Sequence, residues 1–340
     1  DLCEDHLRAL ELRARIEEAL REYDSARDAL GGLVKLCLAS NDRHRAAAAM
    51  LKQAELHLVQ GENALAHALT ESAEGLVRAD GDTRTMGLVH LMYGKVMRKM
   101  GSSNEAFEHF ERAIALLVDP RDFAERAEAL YFKGAKLSES ERVSEAVEVF
   151  REGVRLCEQT GFARGLAAHL SNLGSELICI GRLEEGHDAI LRALAIRERM
   201  GDSVGVAQCV TALAHYALAR QDFENARDLS QKAIRLNHQA GYVLGERVAC
   251  LNLAKAFLGL GRKEDAKEAL KVCISTAARD RAVTPPLAYA HQMWADILEA
   301  EGDAAEALRH RLNAVAILEK LELFEKVEAL RQQIIDKSGA

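Results

Sequence analysis

The chain has 340 residues, 49% of them apolar but only 5% aromatic, with three prolines. Abundant Ala and Leu favour closely packed helices over strands, which draw on β-branched and aromatic side chains. A net charge of −8 and a pI near 5.9 exclude nucleic acid as the main partner, because phosphate binding needs a basic footprint.

The chain starts at Asp1, directly in the helical pattern LCEDHLRALELRARIEEAL, as the trimmed start of a larger protein would. From there a small residue recurs in the first helix of each repeat, at Ala14, Ala54, Gly94, Gly134, Gly174, Ala214, Ala254 and Ala295. Twelve residues after each comes a second one, at Ala26, Ala66, Ala106, Ala146, Gly186, Ala226, Ala266 and Ala307. Antiparallel helices that cross at roughly 8–10 Å need such residues, since a larger side chain would wedge them apart. Seven residues further on, Ala73, Ala113, Gly153, Ala193, Ala233 and Ala314 repeat the requirement, and Leu33 and Cys273 depart from it.

Turns punctuate the same register. Gly61, Gly101, Gly181, Gly261 and Gly302 close the first helix of a repeat, and Gly81, Gly161, Gly201 and Gly241 separate one repeat from the next. Glu141 and Gln221 stand where glycine is expected, which predicts slightly different turns there. Asp119-Pro120 marks a sharp break, and one extra residue within Arg279–Pro286 predicts an irregular loop. Repeats are therefore expected at 3–40, 43–80, 83–118, 122–160, 162–200, 203–240, 243–279 and 286–320. A capping helix at 322–337 would cover the last apolar face. A single repeat cannot bury its apolar face alone, so the pattern predicts one all-α domain over 1–340, an α-solenoid of stacked hairpins.

No apolar run of roughly 18 residues marks a membrane span, and the N-terminus lacks a signal-peptide core. The seven cysteines are scattered without a C-x-x-C pair, and most fall on apolar helix faces. Reduced, buried thiols in a cytoplasmic protein are expected. Arg outnumbers Lys about two to one, which with abundant Ala suits a GC-rich bacterial genome. No catalytic or zinc-binding spacing occurs, and Gly259-Leu260-Gly261 continues as Arg262-Lys263-Glu264, a helix turn rather than a phosphate loop. No catalytic residue, metal or cofactor is expected, and the chain does not read as an enzyme.

Helical hairpins with small residues at the crossings resemble tetratricopeptide repeats over essentially the whole chain. The long helices, the lack of a Pro ending the second helix and the Gly201-Asp202…Gly205…Ala207 junction are similar to the 40-residue subgroup. That subgroup includes the sensor arm of the bacterial maltose-regulon activator, the spindle-orientation adaptor LGN and kinesin light chain. The resemblance implies a right-handed superhelix whose first helices line a concave groove that binds a peptide, a protein or a small ligand.

In that geometry, first-helix residues just before and after each small anchor face the groove. Lys52, Lys95, Arg98 and Lys99 then form a basic patch beside Tyr131 and Phe132, suited to an acidic residue or carboxylate of a ligand. Ser171, Asn172, Ser175, Thr211, His215, Asn252 and Lys255 follow. The resemblance implies that Asn172 and Asn252 bond the backbone of a bound peptide, since an amide both donates and accepts. Set against this are blander roles. The charges suit a solvated helix face, the asparagines suit bridges between helices, and the two aromatics suit a place in the core. The function expected is a regulatory or sensor arm of a larger bacterial signalling protein. The alternative is a scaffold that self-assembles through its end repeats or convex face.

Overall fold

The computed structural model describes residues 2–78, 81–280, 283–321 and 323–338. Among the described residues there are seventeen α-helices and no strand. Contacts divide the chain into two compact units, one up to His169 and one from Leu170 onward.

In the first unit, α1 (Leu2–Ala19) pairs with α2 (Tyr23–Ala39), and α3 (Arg43–Val59) with α4 (Asn63–Val77). Helix α5 (Thr83–Met100) pairs with α6 (Ser103–Leu116), and α7 (Phe123–Glu139) with α8 (Val143–Thr160). The expected break at Asp119-Pro120 is a 3-10 turn, Pro120–Asp122, whose first amide is capped by the Asp119 carboxylate. The unit boundary falls within α9 (Ala163–Cys179), which is followed by α10 (Leu183–Met200).

The second unit continues with α11 (Ser203–Ala219) on α12 (Phe223–Gln239) and α13 (Val243–Gly259) on α14 (Lys263–Asp280). It ends with α15 (Pro285–Ala300) on α16 (Ala304–Lys320) and the single helix α17 (Phe324–Ser338). Val327 and Leu330 of α17 pack against Ala314, Val315 and Leu318, as a capping helix should. In the expected loop at Arg279–Pro286, residues 281–282 lie outside the described residues, and α15 starts at Pro285, where a missing N–H costs nothing.

The anchors explain the hairpins, and the structure sharpens why some are Gly and others Ala. A Cβ on Gly94 would lie 2.5 Å from the Phe110 ring, and one on Gly134 would lie 2.6 Å from Phe150. Both aromatics follow their second-helix anchor by four residues. Where the first-helix anchor is Ala, that position holds Leu30, Thr70, Ser230, Leu270 or Arg311. Both aromatic fillers therefore face a glycine, as close packing demands. At Gly174 the obstacle is backbone, with the Gly186 carbonyl oxygen 2.7 Å from where a Cβ would sit. Gly153 makes room for His169, a buried imidazole whose Nε2 lies 2.9 Å from the Ala127 carbonyl oxygen.

The expectation of different turns at Glu141 and Gln221 is corrected by the structure. Both residues adopt left-handed φ, 57° and 59°, as Gly61 and Gly181 do. The same closing bond is kept: Arg142 N–H donates to the Leu137 carbonyl at 2.9 Å, and Arg182 N–H to Leu177 at 2.8 Å. A hydrogen-bonded closure tolerates the roughly 1–2 kcal/mol that a side chain costs in this conformation. Among the cysteines, Cys37, Cys157, Cys209, Cys250 and Cys273 are buried and Cys179 is exposed. The side chain of Cys3 lies outside the described residues. No helix among the described residues is long and apolar enough to cross a membrane.

A pair of glycine substitutions separates crossing sites from open ones. Gly174→Ala should destabilise by about 1–3 kcal/mol, because backbone cannot move aside. Gly75→Ala, on an exposed face of α4 with nothing within 4 Å, should stabilise by about 0.5–1 kcal/mol. Urea unfolding of the two variants checks both signs.

Candidate functional site

In the first unit, the basic patch expected from the sequence is largely neutralised within the chain. Lys52 Nζ donates to Glu55 at 2.7 Å. Lys95 lies between Glu55 at 3.1 Å and Glu128 at 2.7 Å, with only 12% of its side chain exposed. Burial opposes charging Lys95, but Glu128 and Glu55 outweigh it and raise its pKa. Burial likewise opposes charging Glu55, yet Lys95 and Lys52 hold its pKa down at about 2.

Arg98 lies over the Phe132 ring at 4.7 Å, a cation–π contact that occupies the guanidinium face. Phe132 stacks on Phe110, and Tyr131 meets Phe132 edge-on. Phe110 is buried, Tyr131 and Phe132 are half-buried, and all three border a cavity of about 300 Å³ that also takes in Arg98, Phe107 and Lys136. Lys99 is exposed in the last turn of α5, where a cation suits the helix dipole.

The second unit gathers what the first does not. Ser175, Thr211, His215, Asn252 and Lys255 line one cavity of about 490 Å³, within the size range of ligand sites. Ser171 and Asn172 are half-buried and do not line it, and Ser171 Oγ lies 3.3 Å from Cys209 Sγ. The polar floor is fixed by internal bonds. Asn252 Nδ2 donates to the Thr211 carbonyl at 3.3 Å, so this amide bridges α13 to α11. Asn237 Nδ2 donates to Thr211 Oγ1 at 3.2 Å, and that hydroxyl donates to the Ala207 carbonyl at 2.9 Å.

His215 and Lys255 differ from these. Burial pushes the His215 pKa below its ordinary value, and the Lys255 charge pushes it further the same way. Lys255 is exposed and makes no ion pair among the described residues. Asp296, at the same offset on α15, is paired with Arg311 at 3.2 Å instead.

Several lining residues escaped the sequence reading: Gln208, Val248 and Tyr289 each sit six residues before their anchor, and Tyr242 and Pro285-Pro286 form a rim. Extending the groove positions by one helical turn would have found the first three, since residues about four apart share a face. Among the described residues, no group of three or more His, Cys, Asp or Glu is placed to hold a metal ion.

Comparison with known proteins gives a consistent fold. A family model described as a tetratricopeptide repeat matches residues 248–280. No sequence among the curated proteins matches this chain. The apo form of RapI is similar in structure with a TM-score of 0.66 at 13% identity, covering 81% of this chain and 98% of that one. NprR in complex with its cognate peptide NprX has a TM-score of 0.65 at 12% identity, covering 83% of this chain and 81% of that one. A STAND protein with a tetratricopeptide repeat sensor from Pyrococcus horikoshii has a TM-score of 0.63 at 15% identity. That match covers 96% of this chain and 50% of the archaeal one. At these identities the likeness is one of fold.

The Glu55 geometry sets a pH dependence for the first unit. With its folded pKa near 2 against an ordinary 4.5, Glu55 contributes stability above pH 4.5 that is lost as pH falls toward 2. Glu55→Gln should therefore cost about 2 kcal/mol near neutrality. In urea unfolding, the gap to the parent chain should narrow steadily through that acidic window, and a constant gap would contradict the pairing.

Proposed function

We propose that this chain, a tetratricopeptide-repeat array of eight helical hairpins and a closing helix, is a non-enzymatic binding module that recognises an extended peptide segment. It serves as the sensor or regulatory arm of a larger bacterial signalling protein in the cytoplasm. The observation that carries this reading is the convergence of Ser175, Thr211, His215, Asn252 and Lys255, from three successive first helices, on one cavity. Its walls alternate apolar surface from Val248, Leu251 and Pro286 with polar groups, the mixture a peptide requires.

The fold neighbours support the same role. NprR has been solved with its cognate peptide, and the archaeal STAND protein carries its repeats as a sensor. The match spans 50% of that STAND protein and 98% of RapI. In the first unit, Lys52, Lys95, Arg98, Lys99, Tyr131 and Phe132 contribute to shape and solubility more than to ligand charge. Ser171 and Asn172 extend the surface next to the cavity. A second reading, self-association, is favoured by one observation: Leu12 and Ile16 on α1 and Leu20 just after it are 57%, 51% and 64% exposed at four-residue spacing.

Peptides selected from a random display library on the purified chain test the first reading. Ala212 lines the cavity, so Ala212→Trp should abolish capture of the selected peptides at unchanged helix content and melting. Full capture by this variant would remove the cavity from the binding site. Light scattering across concentration tests the second reading: a dimer should form as concentration rises, and Ile16→Glu should abolish it. A strict monomer at every concentration would remove that reading.

A further inference from the structure

The third hairpin, α5–α6, and the eighth, α15–α16, differ from the other six at one pair of facing positions. Four residues before the first-helix anchor stand His90 and His291, and three after the second-helix anchor stand His109 and His310. In the other six hairpins both offsets hold only Ala, Val, Leu, Met or Cys. The residue just before the first-helix anchor is aromatic in these two hairpins alone, as Tyr93 and Trp294.

The geometry recurs with the residues. Nδ1 of His90 lies 3.0 Å from Nδ1 of His109, and Nδ1 of His291 lies 2.9 Å from Nδ1 of His310. The second-helix ring packs on the aromatic each time, Tyr93 on His109 at 5.0 Å and Trp294 on His310 at 5.3 Å. His291 is buried, and the other three imidazoles are half-buried. Six hairpins close with apolar side chains at these offsets, so closure alone does not call for imidazoles. What the pairs add is a response to protons.

At this separation one Nδ1 carries the hydrogen and the other the lone pair, an N–H···N bond with one shared proton. A first added proton can go to the far nitrogen of the donor ring and leave the bond in place, now charge-assisted. A second has to go onto the accepting Nδ1, where two N–H groups then face each other and the contact breaks. The ring that packs on Tyr93 or Trp294 suits the first proton, because an aromatic face favours a cation. The charges acting on the first-helix rings fit this order. Those on His90 are His109 and Arg112 of α6 and Glu74 of α4, and those on His291 are His310 and Arg309 of α16. Burial is the larger effect, and with these cations it pushes His90 below its ordinary value and His291 down to about 4. His109 faces Arg112, Glu108 and Glu105 of its own helix and Glu74 of α4, while His310 faces Arg309 and Glu306. Behind Tyr93 stand His67 and Glu74 of α4. No further His, Cys, Asp or Glu among the described residues is placed to complete a metal site with either pair.

We propose that the two imidazole pairs are acid-sensitive latches, which hold the third and eighth hairpins closed through a shared proton and release them when acid protonates the first-helix histidine as well. A closed pair resists a proton that an open histidine takes up near pH 6.5, so closure weakens as pH falls from 6.5 toward 4. Repeats that contact only their neighbours can open locally in this way. In the eighth hairpin, α15 also carries Pro285, Pro286 and Tyr289 of the cavity, so acid loosens that wall whatever the cavity binds.

Hydrogen–deuterium exchange of the full chain, corrected for the intrinsic pH dependence of exchange, tests this hairpin by hairpin. Between about pH 6.5 and about pH 4.5, protection of α5–α6 and α15–α16 should fall roughly tenfold to a hundredfold relative to the other hairpins. Joint replacement of His291→Leu and His310→Leu, which restores the apolar pairing seen elsewhere, should keep α15–α16 protected while α5–α6 still opens. Equal loss across all hairpins, or loss at α15–α16 unchanged by the replacement, would overturn the latch. In the unaltered chain, NMR titration should show two steps per pair, with His291 protonating after His310 and His90 after His109. Both rings of each pair titrating together near pH 6.5 would overturn the latch without any variant. Zinc that binds the pairs at neutral pH and keeps both hairpins closed in acid would assign them to a metal instead.

Discussion

Each hairpin depends on two helices crossing so closely that only a hydrogen or a methyl group fits between them. Gly174 and Gly186 are the extreme case, where each would place a Cβ 2.7 Å from the other's carbonyl oxygen. Elsewhere Gly94 and Gly134 exchange their missing methyl for the rings of Phe110 and Phe150. Because the crossing is tight, it fixes the rotation of each helix, and with it which side chains face the neighbouring first helices. Function is written on positions that the packing has already oriented.

That constraint turns sequence offsets into neighbours. A residue one after its anchor meets the same offset on the helix before and the sixth residue before the anchor on the helix after. Lys95 with Glu55 and Glu128 is the clearest instance. A buried cation flanked by two carboxylates is an internal structural element, since its charge is answered by the protein itself. The second unit repeats the offsets with Lys255, His215 and Tyr289, and among the described residues no carboxylate pairs with Lys255 there.

The architecture was legible because close approach restricts composition so strongly: sixteen anchor positions hold only Ala or Gly. Turn residues were legible too, although Glu141 and Gln221 show that a Schellman-type closure can hold side chains in the left-handed conformation. The site was legible in part. Residues near each anchor could be listed, but a list does not say which charges cancel. Lys95 and Lys255 look alike in sequence, and their difference lies at Glu55 and Glu128 against His215 and Tyr289, each more than thirty residues away in the chain. Asn252 likewise read as a peptide contact, while the folded chain commits its amide to the Thr211 carbonyl. The cavity rim at Tyr242 and Pro285-Pro286 carried no periodic signal, because it lies at helix starts outside the repeat of core-facing positions.

On the proposed reading, ligand engages the second unit through the faces of α11, α13 and the start of α15. Hydrogen–deuterium exchange of the full chain, with and without a selected peptide, measures this directly. Protection should concentrate on those three helices, with α5 and α7 unchanged. Protection on α5 and α7, with none on α11 and α13, would contradict it.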